Sequence, residues 1–544
     1  MAGMLVARLV YWQVLRRDDV LQNRARRDVS LGSIAWRGTI YDSRGHYLAI
    51  PSVVYDVGAS PRIITDPVKV ARLLAPVLGV AEERLAGSLS NKDAGWVPLA
   101  RGLPTVKGQA VKDLNLSGIK LDVRPGRFYP EGPLAAAVLG FVNSEQRGHY
   151  GIEEQYDAQL RGTGGLSLTG GPQVMFDLPI VQAPRNGVDL VLTIDRVIQR
   201  AAERNLEQAL EEYEAESGVI IVMEPRTGAI LALAVAPGYD PNDFGSVASF
   251  ETYVNAAISR QYEPGSVFKV VTMAAGLDAG LIRREDSYHD TGQAVVGGRV
   301  FWNWDRRAYG QMSMTQILAR SLNVGSIYIA QKLGPTQFYD AVRRFGFGEP
   351  TGIDLAGEIA GTVRYPGSPT WYPADLATNS FGQGLAVTPL QMATAVAAVA
   401  NGGILVRPYV VDRIMQDGQV IWQATPQEVR RVVAPETAAV LTEMLAEALP
   451  QETPLGVVPR YRSAGKTGTS QVVHDGRYDE QATIASFAGF LPADDPRFVV
   501  LVKLDRPQRQ PWGSLVAAPV WRSLAGELCA YMGIPPDGAR VAGR

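Results

Sequence analysis

A single cysteine, Cys529, excludes an intramolecular disulfide in this 544-residue chain, whatever compartment it works in. It sits in an apolar, helix-like C-terminal run, where buried packing is the expected role. Histidine is almost as scarce. His46, His149, His289 and His474 are scattered, with no H-x-x-x-H spacing and no cysteine pairing, so no metal site and no cofactor are expected. Charge of one sign is also missing: 53 Lys and Arg stand against 55 Asp and Glu, which leaves no global basic footprint for nucleic acid. A full-length apolar run is lacking too. Met1 to Leu15 is apolar and helical in character but interrupted by Arg8, and at ~1.5 Å per residue it reaches about 22 Å against a hydrocarbon core of about 30 Å. It has neither the basic n-region nor the small-residue cleavage site of a signal peptide.

The chain is too long for one domain, and two or three folded units are expected. Residues 28–185 read as a non-catalytic module of short strands, turns and a few helices. Val53 to Gly58 alternates like a strand, and Asp66 to Leu78 has helical apolar spacing. Pro-Gly pairs and the Gly164-Gly165 and Gly170-Gly171-Pro172 stretches read as turns. A second unit spans 186–533. It opens with a strand at Asp189 to Asp195 and a helix through Tyr213, followed by a hairpin from 218–223 to 229–234 across Pro225-Arg226-Thr227-Gly228. Strands at 486–490 and 498–502, with one around Lys466, complete a five-stranded antiparallel sheet. Helices between them, including 314–333 and the Ala-rich 390–400, and a last one over 520–532 pack on that sheet, giving an α+β fold. A polar tail, frayed and disordered, is expected over 534–544.

Chemistry enters at Tyr262-Glu263-Pro264-Gly265-Ser266-Val267-Phe268-Lys269. Residues three apart on a helix share a face, so Lys269 can reach the Ser266 hydroxyl as base to nucleophile. S-x-x-K alone recurs by chance on helical surfaces. Here it is followed, in order, by Ser321-Leu322-Asn323 and Lys466-Thr467-Gly468-Thr469. The set resembles the S-x-x-K, S-D-N and K-T-G signature of penicillin-binding proteins and class A β-lactamases, with Leu322 in place of the Asp.

Flanking segments extend the resemblance over nearly the whole chain, to the class B penicillin-binding proteins, the monofunctional transpeptidases of peptidoglycan synthesis. They are Arg37-Gly38-Thr39-Ile40-Tyr41-Asp42, Tyr129-Pro130-Glu131-Gly132, the segment 148–162, Thr193-Ile194-Asp195, and Gly382-Gln383-Gly384 followed by Thr388-Pro389-Leu390-Gln391. Ser43-Arg44-Gly45 departs from the family's usual Arg-Asn-Gly. The resemblance implies a pedestal of the dimerisation type over 28–185 and a transpeptidase domain of the penicillin-binding and serine β-lactamase type over 186–533. It also implies an anchor helix, of which 1–16 would be a partial stretch with its upstream part missing. Taken alone, Arg16, Arg17, Arg24, Arg26 and Arg27 put the side after that helix in the cytoplasm by the positive-inside rule. The resemblance puts it outside, where the substrate is.

The roles it implies are specific. Ser266 attacks the first D-Ala carbonyl of a stem peptide ending in D-Ala-D-Ala, and an amine from a second stem peptide resolves the acyl-enzyme. Lys269, kept neutral by burial and by Lys466, takes the serine proton. Ser321 relays a proton to the leaving amine, and Asn323 holds Lys269 or the substrate amide. Lys466 and the hydroxyls of Thr467 and Thr469 suit the substrate carboxylate, Gly468 admits substrate backbone, and the N–H groups of Ser266 and Thr469 form the oxyanion hole. No residue matches the deacylating glutamate of class A β-lactamases. β-Lactams are expected ligands, and a membrane glycan polymerase of the SEDS type is the expected partner of the pedestal. Gly140-Phe141-Val142-Asn143 and the segment 148–162 lean towards division and sporulation members over elongation ones. A D,D-carboxypeptidase or β-lactamase would use the same triad without needing a pedestal, and a penicillin-sensing scaffold that activates a polymerase is the non-enzymatic alternative.

Overall fold

The computed structural model describes residues 35–164, 184–474 and 477–538. The expected anchor over 1–16, the arginines after it, the Gly170-Gly171-Pro172 stretch and the tail from 539 onward lie outside the described residues. Among the described residues no helix is long and apolar enough to cross a membrane.

The N-terminal module is built on β1 (Ile40–Tyr41), β2 (Tyr47–Ala59), β3 (Val97–Pro104) and β4 (Ile119–Phe128), with β2 paired to each of the others. The strand expected at 53–58 is the middle of β2. Helix α1 (Pro67–Leu78) follows its apolar spacing: Asp66 caps it by accepting from Lys69 N at 3.0 Å, and Val70, Ala71 and Leu74 are buried in a core shared with Val57, Ala59 and Leu103. Pro125-Gly126, expected to be a turn, instead lies inside β4, opposite Val53 and Ser52. The strand tolerates the proline because β4 is an edge whose one partner among the described residues is β2, so the missing N–H costs no ladder bond on the other side. Gly126 is needed for contact: a Cβ there would stand 2.5 Å from Val54 Cγ1.

This sheet continues into the C-terminal half. Strand β5 (Asp189–Leu192) runs parallel to β1, and a hairpin of Val411–Gln416 and Gln419–Gln423 adds antiparallel beyond it. Beside the junction, the motifs flagged in the N-terminal half converge on one buried carboxylate. Arg37 Nε donates to Glu153 Oε2 at 2.6 Å, and Arg127 Nε donates to Glu153 Oε1 at 2.7 Å. Arg37 Nη1 reaches Asp157 at 2.7 Å, and Arg127 Nη1 caps the Gly38 carbonyl at 2.6 Å. The Glu153 side chain is wholly buried and the two arginines nearly so. Removing the shared anion takes the carboxylate from buried Arg127 and leaves buried Arg37 with Asp157 alone, so Glu153→Ala is expected to lower stability by about 3–5 kcal/mol. Urea unfolding would measure it; a loss under ~1 kcal/mol would mean that water already screens the cluster.

The second sheet is the five-stranded antiparallel one expected. Its strands are β6 (Ser217–Met223), β7 (Ile230–Ala236), β8 (Ala464–His474), β9 (Arg477–Leu491) and β10 (Phe498–Asp505), in the order β8-β9-β10-β6-β7. Both faces are covered, and the period-two alternation shows it. Ile220, Val222, Val500 and Val502 face a core with α2 (Arg196–Tyr213) and the C-terminal helix, whereas Val219, Ile221, Val499 and Leu501 face the main core. On that second side lie α3 (Lys269–Asp278), α4 (Met314–Ala319), α5 (Asn323–Arg344), α6 (Pro389–Ala400) and α7 (Pro435–Glu452). Helix α6 starts on a capping box between Thr388 and Gln391 and is buried as its alanines suggest. Helix α8 (Gly513–Tyr531) closes the other face and carries the buried Cys529.

The single helix expected over 314–333 is two. Helix α4 ends at Ala319, Ser321 takes a left-handed φ of +53°, and α5 begins at Asn323. That break, costly for a non-glycine residue, sets the S-x-N motif at a helix joint, where both its backbone and its side chains are available.

Candidate active site

Three chain segments meet beside the edge strand β8. The turn Gly265–Phe268 is a 3-10 helix running directly into α3, and its three-residue period places Ser266 and Lys269 on one face. Its fit is made by glycines. Gly265 has φ +54°, and a Cβ on it would lie 2.7 Å from the Thr469 carbonyl; a Cβ on Gly382 would lie 2.1 Å from the Gly265 carbonyl. Gly265 N donates to Gly382 O at 3.0 Å, and Ser470 Oγ donates to Glu263 O at 2.7 Å. Gly384 N donates to the Glu263 carboxylate at 2.9 Å; burial raises the pKa of that acid. The G-Q-G segment therefore braces the nucleophile turn through its backbone.

Lys269 is 1 % exposed. Its ammonium donates to the Ser321 carbonyl at 2.6 Å, to Asn323 Oδ1 at 2.8 Å and to Ser321 Oγ at 3.3 Å. None of these three bonds goes to Ser266; the S-x-N joint holds the lysine. Lys466 is 0 % exposed and reaches Ser321 Oγ at 3.0 Å from the other side, so one hydroxyl bridges both lysines. Burial, and after it the Lys466 ammonium, hold Lys269 well below the ordinary lysine value, with Glu452 acting in the opposite direction. Burial also lowers Lys466, again opposed by Glu452.

The K-T-G strand departs from expectation in detail. A Cβ on Gly468 would stand 2.5 Å from Ser486 Oγ and 2.8 Å from both the Pro264 carbonyl and Val267 Cγ2, so the bare α-carbon also seats the nucleophile turn. The Thr467 hydroxyl donates to Glu452 Oε1 at 2.5 Å, which commits its hydrogen. The Thr469 hydroxyl accepts from Gly513 N at 3.0 Å and keeps its hydrogen for an incoming acceptor. Glu452, the last residue of α7, escaped the sequence reading. A glutamate in a Gln-Glu-Thr-Pro helix stop, remote in sequence from the motif it serves, looks like an ordinary solvated residue. At the mouth, Asn323 Nδ2 donates to the Trp302 carbonyl at 3.2 Å, and the exposed rings of Trp304 and Trp512 meet edge-on at 5.6 Å.

An S-x-x-K turn, an S-x-N joint and a K-T-G edge strand assembled this way define the serine acyltransferase core of penicillin-binding proteins. Residues 218–526 match the penicillin binding protein transpeptidase domain and residues 33–170 the penicillin-binding protein dimerisation domain, and the chain belongs to the class B penicillin-binding proteins. It is 33% identical over 513 residues to stage V sporulation protein D of Bacillus subtilis, covering 92% of this chain and 79% of that protein. It is 30% identical over 549 residues to peptidoglycan D,D-transpeptidase FtsI of Escherichia coli, covering 98% of this chain and 90% of the relative. Among solved structures, penicillin-binding protein 3 of Mycobacterium tuberculosis complexed with aztreonam superposes with a TM-score of 0.73 at 28% identity, over 93% of this chain and 98% of that one.

Proposed function

We propose that this chain is a peptidoglycan D,D-transpeptidase that cross-links stem peptides through an acyl-enzyme on Ser266. One observation carries the assignment of roles: the Ser321 hydroxyl bridges Lys269 at 3.3 Å and Lys466 at 3.0 Å, linking a deeply buried amine beside the nucleophile to a second cation. Such an amine can stay neutral and take the Ser266 proton as the hydroxyl oxygen attacks the penultimate D-Ala carbonyl. The proton then passes by way of Ser321 to the nitrogen of the departing D-Ala. Asn323 keeps Lys269 aimed, Lys466 and the Thr469 hydroxyl receive the substrate carboxylate, and the backbone N–H groups of Ser266 and Thr469 receive the oxyanion. Thr467 and Gly468 shape that strand. An amine of a second stem peptide attacks the ester, restoring Ser266. β-Lactams enter the same site and leave a slow acyl-enzyme.

The wider setting belongs to the same proposal: residues 28–185 act as the pedestal and 186–533 as the transpeptidase domain. The chain is held at the cell membrane by a single-pass N-terminal anchor with its catalytic domain outside. Through the pedestal it meets a membrane glycan polymerase of the SEDS type, in division or sporulation. The deciding experiment supplies purified chain with a synthetic stem pentapeptide ending in D-Ala-D-Ala and a second stem peptide bearing a free amine. Release of D-Ala together with a cross-linked dimer is expected. Release without the dimer would make the chain a carboxypeptidase, and no release from a folded protein would favour a scaffold.

A further inference from the structure

Glu452 occupies a place that helix stability does not explain. It ends α7, where the partial negative charge of the helix C-terminus disfavours a carboxylate. Its side chain is only 6 % exposed, and Oε2 is buried without a hydrogen-bond partner in the structure. An acid so placed is a liability unless it answers another charge. The charge it answers is Lys466: Lys466 Nζ donates to Glu452 Oε1, and the same oxygen accepts from the Thr467 hydroxyl at 2.5 Å. Lys466 in turn is the donor at 3.0 Å to Ser321 Oγ, the group that also meets Lys269. The result is one continuous line from the end of α7 through β8 and the α4–α5 joint to α3.

We propose that Glu452 is a positioning residue for acyl transfer: it keeps the buried Lys466 charged and aimed at Ser321, and thereby sets the electrostatic balance in which Lys269 acts as the base. The proposal rests on the Ser266 acyl-transfer reading above. The titratable groups bearing on the line are Glu452 from α7, Lys466 from β8 and Lys269 from α3. Without the carboxylate, Lys466 has burial against its proton and nothing in this set favouring it. The protonated form of Lys466 is then lost at lower pH. A second consequence concerns recognition. Since Glu452 both pairs with Lys466 and holds the Thr467 hydrogen, an incoming carboxylate meets a lysine that is already partly neutralised, and its contact with Thr469 gains weight.

The test compares the full chain with Glu452→Gln and Glu452→Asp. The rate of acylation by a fluorescent penicillin is followed across pH, Ser266 is confirmed as the site by mass spectrometry, and the Lys466 15Nζ resonance is titrated in unacylated protein. In Glu452→Gln the alkaline limb of the rate profile and the Lys466 midpoint are both expected to fall by about one pH unit or more. Glu452→Asp, which retains the charge, should restore most of both. Coincident profiles and an unchanged Lys466 midpoint in the glutamine variant would overturn the inference. The resonance titration reads Lys466 whether or not Ser266 reacts, so a chain that fails to acylate would defeat the acyl-transfer reading without disguising the role of Glu452. Should the glutamine variant melt early, a Lys466 midpoint that stays put in its folded state still counts against the proposal.

Discussion

A Ser266→Ala chain is expected to form no penicillin adduct at any incubation time, and its D-Ala release from a stem pentapeptide should fall by on the order of 10⁴-fold or more. The substitution removes one oxygen from a half-buried side chain in a turn held by its backbone, through Gly265 N to Gly382 O and Ser470 Oγ to Glu263 O. Its melting temperature should therefore stay within a few degrees of the parent, so lost labelling can be read as lost chemistry. Intact-mass and peptide mass spectrometry give the result directly. Labelling that persists on another serine, Ser321 above all, would sink the assignment of the nucleophile and leave the rest of the site to be re-read around that hydroxyl.

Lys269 carries the second large effect. Removing a positioned proton acceptor typically costs about 10²–10⁴ in rate, and Lys269→Met is expected near the upper end because Lys466, the other amine that meets Ser321 Oγ, is held by Glu452. Lys269→Arg is the sharper comparison. Arginine keeps a charge and cannot shed it, so it should be as inactive as methionine if the amine must be neutral, and partly active if only a cation is needed. The sign of the pH dependence follows from the same group. Burial and then Lys466 depress Lys269, so its neutral form persists to lower pH than that of an ordinary lysine, and acylation should decline as pH falls through that depressed value and the amine takes a proton. A rate that rises towards acid would remove Lys269 from the base role. Methionine leaves the Ser321 carbonyl and Asn323 Oδ1 without their donor, and arginine must fit a larger head group into the same buried space, so melting curves must accompany the rates.

Most of the scaffold was legible because its signals are local. The sheet strands announce themselves by alternation and by turns such as Pro225 to Gly228, α1 by Asp66 and its apolar stripe, and α6 by Thr388 and Gln391. The reactive motifs were legible for another reason: S-x-x-K, S-x-N and K-T-G occur together and in order. What escaped depends on contacts between distant segments. The break at Ser321 is imposed by what its carbonyl and hydroxyl must reach, and propensity over 314–333 gives no sign of it. Pro125-Gly126 has turn composition but sits on a strand edge, a fact of topology that no window of sequence contains. Gly468 packs against the Pro264 carbonyl, and Glu452 meets Lys466 only once α7 and β8 are side by side.

The seven-stranded sheet has a mechanical meaning. Its order places β5 against β1 and the hairpin 411–423 against β5, so the row of main-chain bonds that begins in the pedestal ends in residues that follow α6 in the chain. Severing the chain near residue 186 would leave β5 and that hairpin with a raw edge rather than freeing a finished enzyme. In the intact protein the two halves share one sheet, whose catalytic-half portion is tied down where the Asp354 carboxylate takes the Val410 and Val411 amides at 2.7 and 2.9 Å, so the catalytic half does not complete that sheet by itself.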